Sequence, residues 1–411
     1  MPLNTCDIFC KVIDNYGDIG VCWRLARQLA AESGLAVRLW VDDLAVFARL
    51  ESRVDRASAA QEVAGVQICC WEDAANAIAA DVVIEAFACD PPEAYIAAMA
   101  ARAEKPVWIN LEYLTAEDWA AGSHALPSPH PRLPLVKHFF FPGFTPDTGG
   151  LIREAGLIEA LRNFQADGAA QAEFWQRTAG CTVAEDALKV SLFAYENAAI
   201  PGLLNAWAQG EREVFCAVTA GRHVPQVEAW AASSGLASGR QSSLPEKGSG
   251  LKPALQSTLQ VGRLTLAFLP FLPQGDYDLL LAACDLNFVR GEDSFVRAQW
   301  AGRPFVWHIY QQEEGAHLPK LAAFMNLYCA GMNAQAAHPL REFWQAWERE
   351  ESADLHWPAL HAALSALQAH AEKWAENLVS HTDLASKLLI FCQNLLECRA
   401  FPKPDAGSPQ R

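Results

Sequence analysis

No apolar run comes near the roughly 20 residues that a membrane-crossing helix needs. The segment Met1–Asp7 lacks the basic, then apolar, then small-residue order of a signal peptide. Positive charge is scarce: 32 Lys and Arg stand against 48 Asp and Glu, a formal net charge of −16. General nucleic-acid and anionic-membrane binders need a positive field, so both classes are disfavoured. The 12 cysteines include no C-x-x-C pair, which removes support for zinc-knuckle and thioredoxin readings. No His/Cys/Asp/Glu cluster has metal-ligand spacing. Neither G-x-G-x-x-G nor a Walker A loop occurs, and no internal repeat is evident.

What is present is a long, apolar chain. Its 411 residues are 51% hydrophobic and only 19% charged, which excludes a disordered polymer. That length exceeds the roughly 250–300 residues at which one core stops growing, so two domains are expected. Most cysteines lie in apolar runs, where a thiol serves as a small core hydrophobe. This favours a reducing, cytoplasmic setting over a disulfide framework.

Short β-rich runs alternate with helical stretches. Asp7–Ile13, Ala36–Val41, Val66–Cys70, Asp81–Ala86 and Pro106–Asn110 read as strands, and Ile19–Glu32 has apolar residues at helical spacing. This βαβα rhythm predicts a parallel sheet covered by helices. The segment His124–Pro146, rich in proline, interrupts it and admits a last strand before a linker. Pro and Gly in Thr145–Gly150 mark a domain boundary. The pattern then returns in Leu188–Phe193, Glu213–Thr219, Leu264–Leu269, Leu286–Val289 and Pro304–Trp307. Gly235–Gly250 reads as an exposed Ser/Gly loop, and from Leu340 the chain is mostly helical and rich in Trp and Ala. The tail Phe401–Arg411 reads as disordered. In such sheets ligands bind outside the carboxyl ends of the strands.

Two strand exits carry chemistry. Asp14-Asn15-Tyr16-Gly17-Asp18-Ile19-Gly20 leaves the first strand, with glycines that permit a tight turn and two carboxylates that can converge on a ligand. A plain alternative is that Asp14 or Asp18 caps the next helix. Later, Arg290-Gly291-Glu292-Asp293-Ser294 turns from a strand into a helix, with Asp293 or Ser294 expected as N-cap. A helix N-terminus with an arginine fork suits phosphate. Glu292 and Asp293 fit beside it if one bonds a donor hydroxyl or orients the reacting groups. The alternative here is a capped helix with a surface Arg–Glu pair. Upstream, Phe271, Gln274 and Tyr277, with Phe193 and Tyr195 from another strand end, offer stacking and an amide for a planar base. A lone His308 reads as a hydrogen-bonded structural residue rather than a catalyst.

Two long strings, Ile8 to Val21 and Asn287 to Phe295, resemble the protein-arginine rhamnosyltransferases that modify elongation factor P, and Tyr277–Tyr310 also fits. Gln311, where that family carries proline, and Tyr16, where phenylalanine is commoner, depart from its pattern. The resemblance implies an α/β GT-B fold, two Rossmann-like domains facing across a cleft. It implies an acceptor domain at 1–150, a donor domain at 151–371 and a helix at about 372–400 returning to the first. It further implies dTDP-β-L-rhamnose as donor, elongation factor P as acceptor, inversion, no metal or other cofactor, no nucleic-acid or membrane partner, and bacterial cytoplasm. Carried over by motif, Asp14, Asp18 and Glu292 become catalytic candidates. Tyr16, Gly17, Phe193, Tyr195, Phe271, Gln274, Tyr277, Arg290, Asp293 and Ser294 become donor-binding candidates. The rival readings are a sugar-nucleotide epimerase of the same architecture and a non-catalytic nucleotide-sugar or elongation-factor binding module.

Overall fold

A computed structural model describes residues 3–13, 16–234, 237–238 and 257–400. Asp14, nearly all of the Gly235–Gly250 loop and the tail Phe401–Arg411 therefore lie outside the described residues. The chain divides into two units. One takes Met1–Ala155 and the chain from His381, the other Gly156–Ser380.

The first unit holds β1 (Thr5–Cys10), β2 (Ala36–Val41), β3 (Ala60–Val63), β4 (Val66–Cys70), β5 (Val82–Ala86), β6 (Val107–Leu111), β7 (Pro127–Pro129) and β8 (Val136–Phe140). Their order in the sheet is β3-β4-β2-β1-β5-β6-β8-β7. The six strands β4-β2-β1-β5-β6-β8 are mutually parallel. Counted in chain order they run 3-2-1-4-5-6, the Rossmann order, with its reversal between β1 and β5. β5 and β6 are buried along their whole length, as expected of parallel strands covered on both faces. Buried Glu85 on β5 accepts from Lys137 Nζ at 2.5 Å and from Trp108 Nε1 at 3.1 Å.

Two antiparallel edge strands escape sequence patterning. β3 and β4 form a hairpin whose turn residues Ala64 and Gly65 have φ of 52° and 77°. Two positive φ values are the twist-matched hairpin geometry, but Ala in the first position gives no signal of it. β7 pairs with β8 through a segment bearing Pro127 and Pro129, which lack donors and so suit an edge.

The return to the first unit differs from the expected one. The helix Ala353–Val379 is continuous through 372, and the returning element is Leu384–Ala400. Its Leu384, Ala385, Leu388 and Cys392 join one core with Ile8, Ile19, Trp23, Ile109 and Phe140. The first boundary also falls later than 150, because hydrogen bonds tie the next residues down. Leu384 N–H donates to Leu151 O at 2.9 Å, Gln28 Nε2 to Arg153 O at 2.9 Å, and Ala155 N–H to Glu32 Oε1 at 2.8 Å. Gly150 permits the close approach: its φ is +77°, and a Cβ there would lie 2.6 Å from Thr382 O.

The second unit holds β9 (Leu188–Leu192), β10 (Val214–Val218), β11 (Ala237–Ser238), β12 (Ser257–Val261), β13 (Leu264–Phe268), β14 (Leu286–Arg290) and β15 (Phe305–His308), ordered β11-β12-β13-β10-β9-β14-β15. The parallel strands β13-β10-β9-β14-β15 read 3-2-1-4-5 in chain order, and here the reversal lies between β9 and β14. Across that junction Ser191 Oγ donates to Asn287 Oδ1 at 2.6 Å in a fully buried pair. The Trp-rich C-terminal region is core: Trp344 and Trp347 are fully buried, and Trp344 Nε1 donates to Trp307 O at 2.7 Å.

The helices Gln274–Ala283 and Asp293–Ala301 flank β14 and are locked by a bidentate ion pair, Arg297 to Asp278, at 2.9 and 2.7 Å. Both side chains are buried. Asp278→Ala removes the paired carboxylate from a buried guanidinium and is expected to cost about 3–5 kcal/mol. Urea unfolding followed by tryptophan fluorescence measures this. A loss below about 1 kcal/mol would show that water reaches the pair.

Candidate active site

The reversal point of the second sheet places two strand exits side by side. β9 continues into Phe193-Ala194-Tyr195, and β14 ends in Arg290. The Arg290 guanidinium lies over both rings, 4.5 Å from the Phe193 centroid and 4.6 Å from that of Tyr195. Cation–π contact with two rings restrains the guanidinium. Phe193 also meets Tyr277 edge-on at 5.6 Å. Burial pushes the Tyr277 hydroxyl well above its ordinary pKa, so it stays protonated and able to donate. Gln274 Nε2 donates to Asp293 Oδ2 at 3.2 Å, so the amide and the carboxylate share one wall. Phe271, past the end of β13, is 38% exposed at the rim.

The helix start differs from expectation. Glu292, not Asp293 or Ser294, occupies the N-cap, and its side chain makes no capping hydrogen bond. Gly291 has φ +60°, and the turn closes on itself instead. Ser294 Oγ accepts from Arg290 N–H at 3.1 Å and donates back to Arg290 O. Ser294 is thus spent on holding the turn, and Asp293 sits in the first helical turn beside Gln274. A helix N-terminus next to an oriented guanidinium is suited to an anion such as a phosphate.

The reversal point of the first sheet carries Asp18. The helix Gly17–Ser33 begins with Tyr16 as N-cap, so Asp18 does not cap it. Its carboxylate, 2% exposed, turns back instead: Oδ2 accepts from Ile13 N–H at 2.9 Å, and Oδ1 from the Tyr113 hydroxyl at 3.3 Å. Tyr113 stacks on Phe87 with centroids 4.3 Å apart. Phe87, Ala88 and Asp90, directly after β5, all have positive φ, from 49° to 57°. Such strain in non-glycine residues persists only where neighbours hold it; here Phe87 N–H donates to Leu111 O at 2.7 Å and Ala88 N–H to Asn110 Oδ1 at 3.0 Å. Tyr16 and Gly17 share this unit with Asp18, whereas the other donor candidates and Glu292 belong to the second unit.

Sequence reading missed Tyr113 and Phe87. The available signal was position alone, an aromatic residue just past the end of a buried strand. It also passed over the grip on the Ala194–Tyr195 peptide. His308 Nδ1 accepts from Tyr195 N–H at 3.3 Å, and His223 Nδ1 faces Ala194 O at 3.0 Å. Burial, with the nearby Arg290 charge, lowers His308 to about 3 and His223 to about 4. Among the described residues no group of three or more His, Cys, Asp and Glu side chains is gathered as a metal shell requires. All 12 cysteines are free thiols, and no described helix is long and apolar enough to cross a membrane.

Residues 6–393 match the family described as Elongation-Factor P (EF-P) rhamnosyltransferase EarP. The chain belongs to the EF-P rhamnosyltransferase family. A protein-arginine rhamnosyltransferase of Pseudomonas aeruginosa is 48% identical over 94% of this chain and 98% of its own length. One of Shewanella oneidensis is 38% identical over 94% and 96%. A solved structure, described as the structural basis for EarP-mediated arginine glycosylation of translation elongation factor EF-P, superposes with a TM-score of 0.65 at 34% identity. It covers 95% of this chain and 99% of that one. The protein is accordingly an enzyme, a protein-arginine rhamnosyltransferase with the α/β, two-Rossmann-domain fold of GT-B glycosyltransferases.

Proposed function

We propose that this rhamnosyltransferase moves L-rhamnose from dTDP-β-L-rhamnose to an arginine side chain of elongation factor P, with inversion and without a metal, in the bacterial cytoplasm. The observation that carries the donor half is the Arg290 guanidinium seated over Phe193 and Tyr195 at the reversal point of the second sheet. The EF-P named with the 34%-identical structure supports the acceptor half.

A guanidinium is a poor nucleophile, because its lone pairs are delocalised and its pKa exceeds about 12. Its proton must therefore leave as the new bond forms. In this reading the Asp18 carboxylate accepts that proton while a guanidino nitrogen bonds to the anomeric carbon. The bond from that carbon to the β-phosphate oxygen breaks, and dTDP departs with the electron pair. A single displacement inverts the centre. Arg290 and the N-terminus of the helix Asp293–Ala301 stabilise the charge gathering on dTDP. Tyr113 holds Asp18, Asp14 helps to orient the acceptor, and Glu292 completes the catalytic set. Phe193, Tyr277, Phe271 and Gln274 receive the base.

The test is incubation with dTDP-β-L-rhamnose and unmodified elongation factor P, followed by peptide mass spectrometry. One deoxyhexose on one acceptor arginine is expected. Donor consumption without protein labelling would indicate an epimerase instead, and binding without turnover a carrier module.

A further inference from the structure

Ala194 and Tyr195 share one peptide plane, and two histidines hold its opposite ends. His223, at the N-cap of the helix Val224–Ser233, places Nδ1 3.0 Å from Ala194 O. His308, the last residue of β15, accepts Tyr195 N–H on its own Nδ1 at 3.3 Å. A carbonyl can only accept, so His223 carries its proton on Nδ1. An N–H can only donate, so His308 carries its proton on Nε2. The two rings are thus fixed in opposite tautomers by one peptide group. That group is trans, as all peptide bonds among the described residues are, so its oxygen and hydrogen point opposite ways and the two bonds together set the plane.

His308 does more than grip the exit of β9. β15 lies beyond β14 in the sheet, so the imidazole reaches past the end of β14 to the Tyr195 backbone. Meanwhile the His308 carbonyl accepts Gly291 N–H at 3.3 Å, and the neighbouring Trp307 Nε1 donates to Gly291 O at 2.8 Å. The ring also packs edge-on between Tyr195 at 5.2 Å and Trp347 at 5.9 Å. Both walls around Arg290 are therefore fastened to one residue.

We propose that His308 is a positioning residue of the donor site: its Nδ1 lone pair fixes Tyr195 and its carbonyl fixes the Gly291 turn, so that Arg290 is held over Phe193 and Tyr195 in one orientation. The role rests on the donor reading given above. Protonation would replace the lone pair by an N–H aimed at another N–H; burial and the Arg290 charge keep the ring neutral. His223 serves the same plane from its carbonyl side. Preorganisation of this kind acts on donor affinity, because a loosened Arg290 must be ordered on each binding event.

Calorimetric titration with dTDP tests it, using His308→Leu, which removes the acceptor, and His308→Asn, whose Oδ1 stands near the Nδ1 position. His308→Leu is expected to weaken dTDP about tenfold, from loss of the acceptor for a partly buried N–H, and His308→Asn by about threefold or less. The KM for elongation factor P should stay within about twofold in both, which a general loss of structure would not allow. Nitrogen-15 NMR of histidine-labelled wild type should show His308 as the Nε2–H tautomer and His223 as the Nδ1–H tautomer. Wild-type binding of dTDP with His308→Leu equal to it, or a reversed His308 tautomer, overturns the positioning role alone. Failure of wild type to bind dTDP overturns the donor reading and this inference with it.

Discussion

Asp18→Asn is expected to lower rhamnosyl transfer by about 10²–10⁴-fold, the range attributed to one general base, with dTDP affinity changed by no more than about twofold. The side chain keeps its size, and an amide oxygen can still accept from Ile13 N–H or the Tyr113 hydroxyl, two donors to the carboxylate. What disappears is basicity. The acceptor makes this loss severe, since a guanidinium does not release its proton to water near neutral pH. Single-turnover assays with saturating donor separate the chemical step from binding. A variant transferring at near wild-type rate would remove Asp18 from the mechanism and leave Glu292 and Asp14 as the carboxylates to test.

Arg290→Ala should lower kcat/KM for the donor by about 10²–10³-fold, the scale of one lost transition-state donor. Arg290→Lys is the sharper variant. Lysine keeps the charge but offers a point ammonium in place of a planar fork. The native guanidinium contacts the Phe193 and Tyr195 rings at 4.5 and 4.6 Å, a fit favoured by its flat shape. Lysine is therefore expected to recover less than about tenfold of the alanine loss. Full recovery would mean that charge alone matters and that the aromatic seat is incidental.

Much of the fold is legible in the sequence wherever hydrophobic patterning does the work. Ala36–Val41 and Val66–Cys70 are strands to the residue; Asp42 stops the first apolar run and Gly65 starts the second. β3 and β7 are not legible: one depends on an alanine in a left-handed turn, the other on two prolines that argue against a strand in general. The second domain boundary was misplaced because a break inside a helical region has no apolar signature; it shows only as Ser380–Asp383 between two helices. At the site, Arg290 and Asp18 were visible as charged residues leaving apolar strands. Tyr113 was not, and His308 was legible as a hydrogen-bonded structural residue but not its partner, since both bonds are long-range and join residues 95 and 113 positions apart.

The helix Leu384–Ala400 carries a consequence for biogenesis. It supplies part of the core of a unit whose sheet is encoded in the first 140 residues. Synthesis order and assembly order therefore differ. The second unit, encoded between 156 and 380, has all its residues before the first one does. Until translation reaches its last helix, the first sheet keeps an uncovered apolar patch around Ile109 and Phe140, a surface of the kind that chaperones shield in nascent chains.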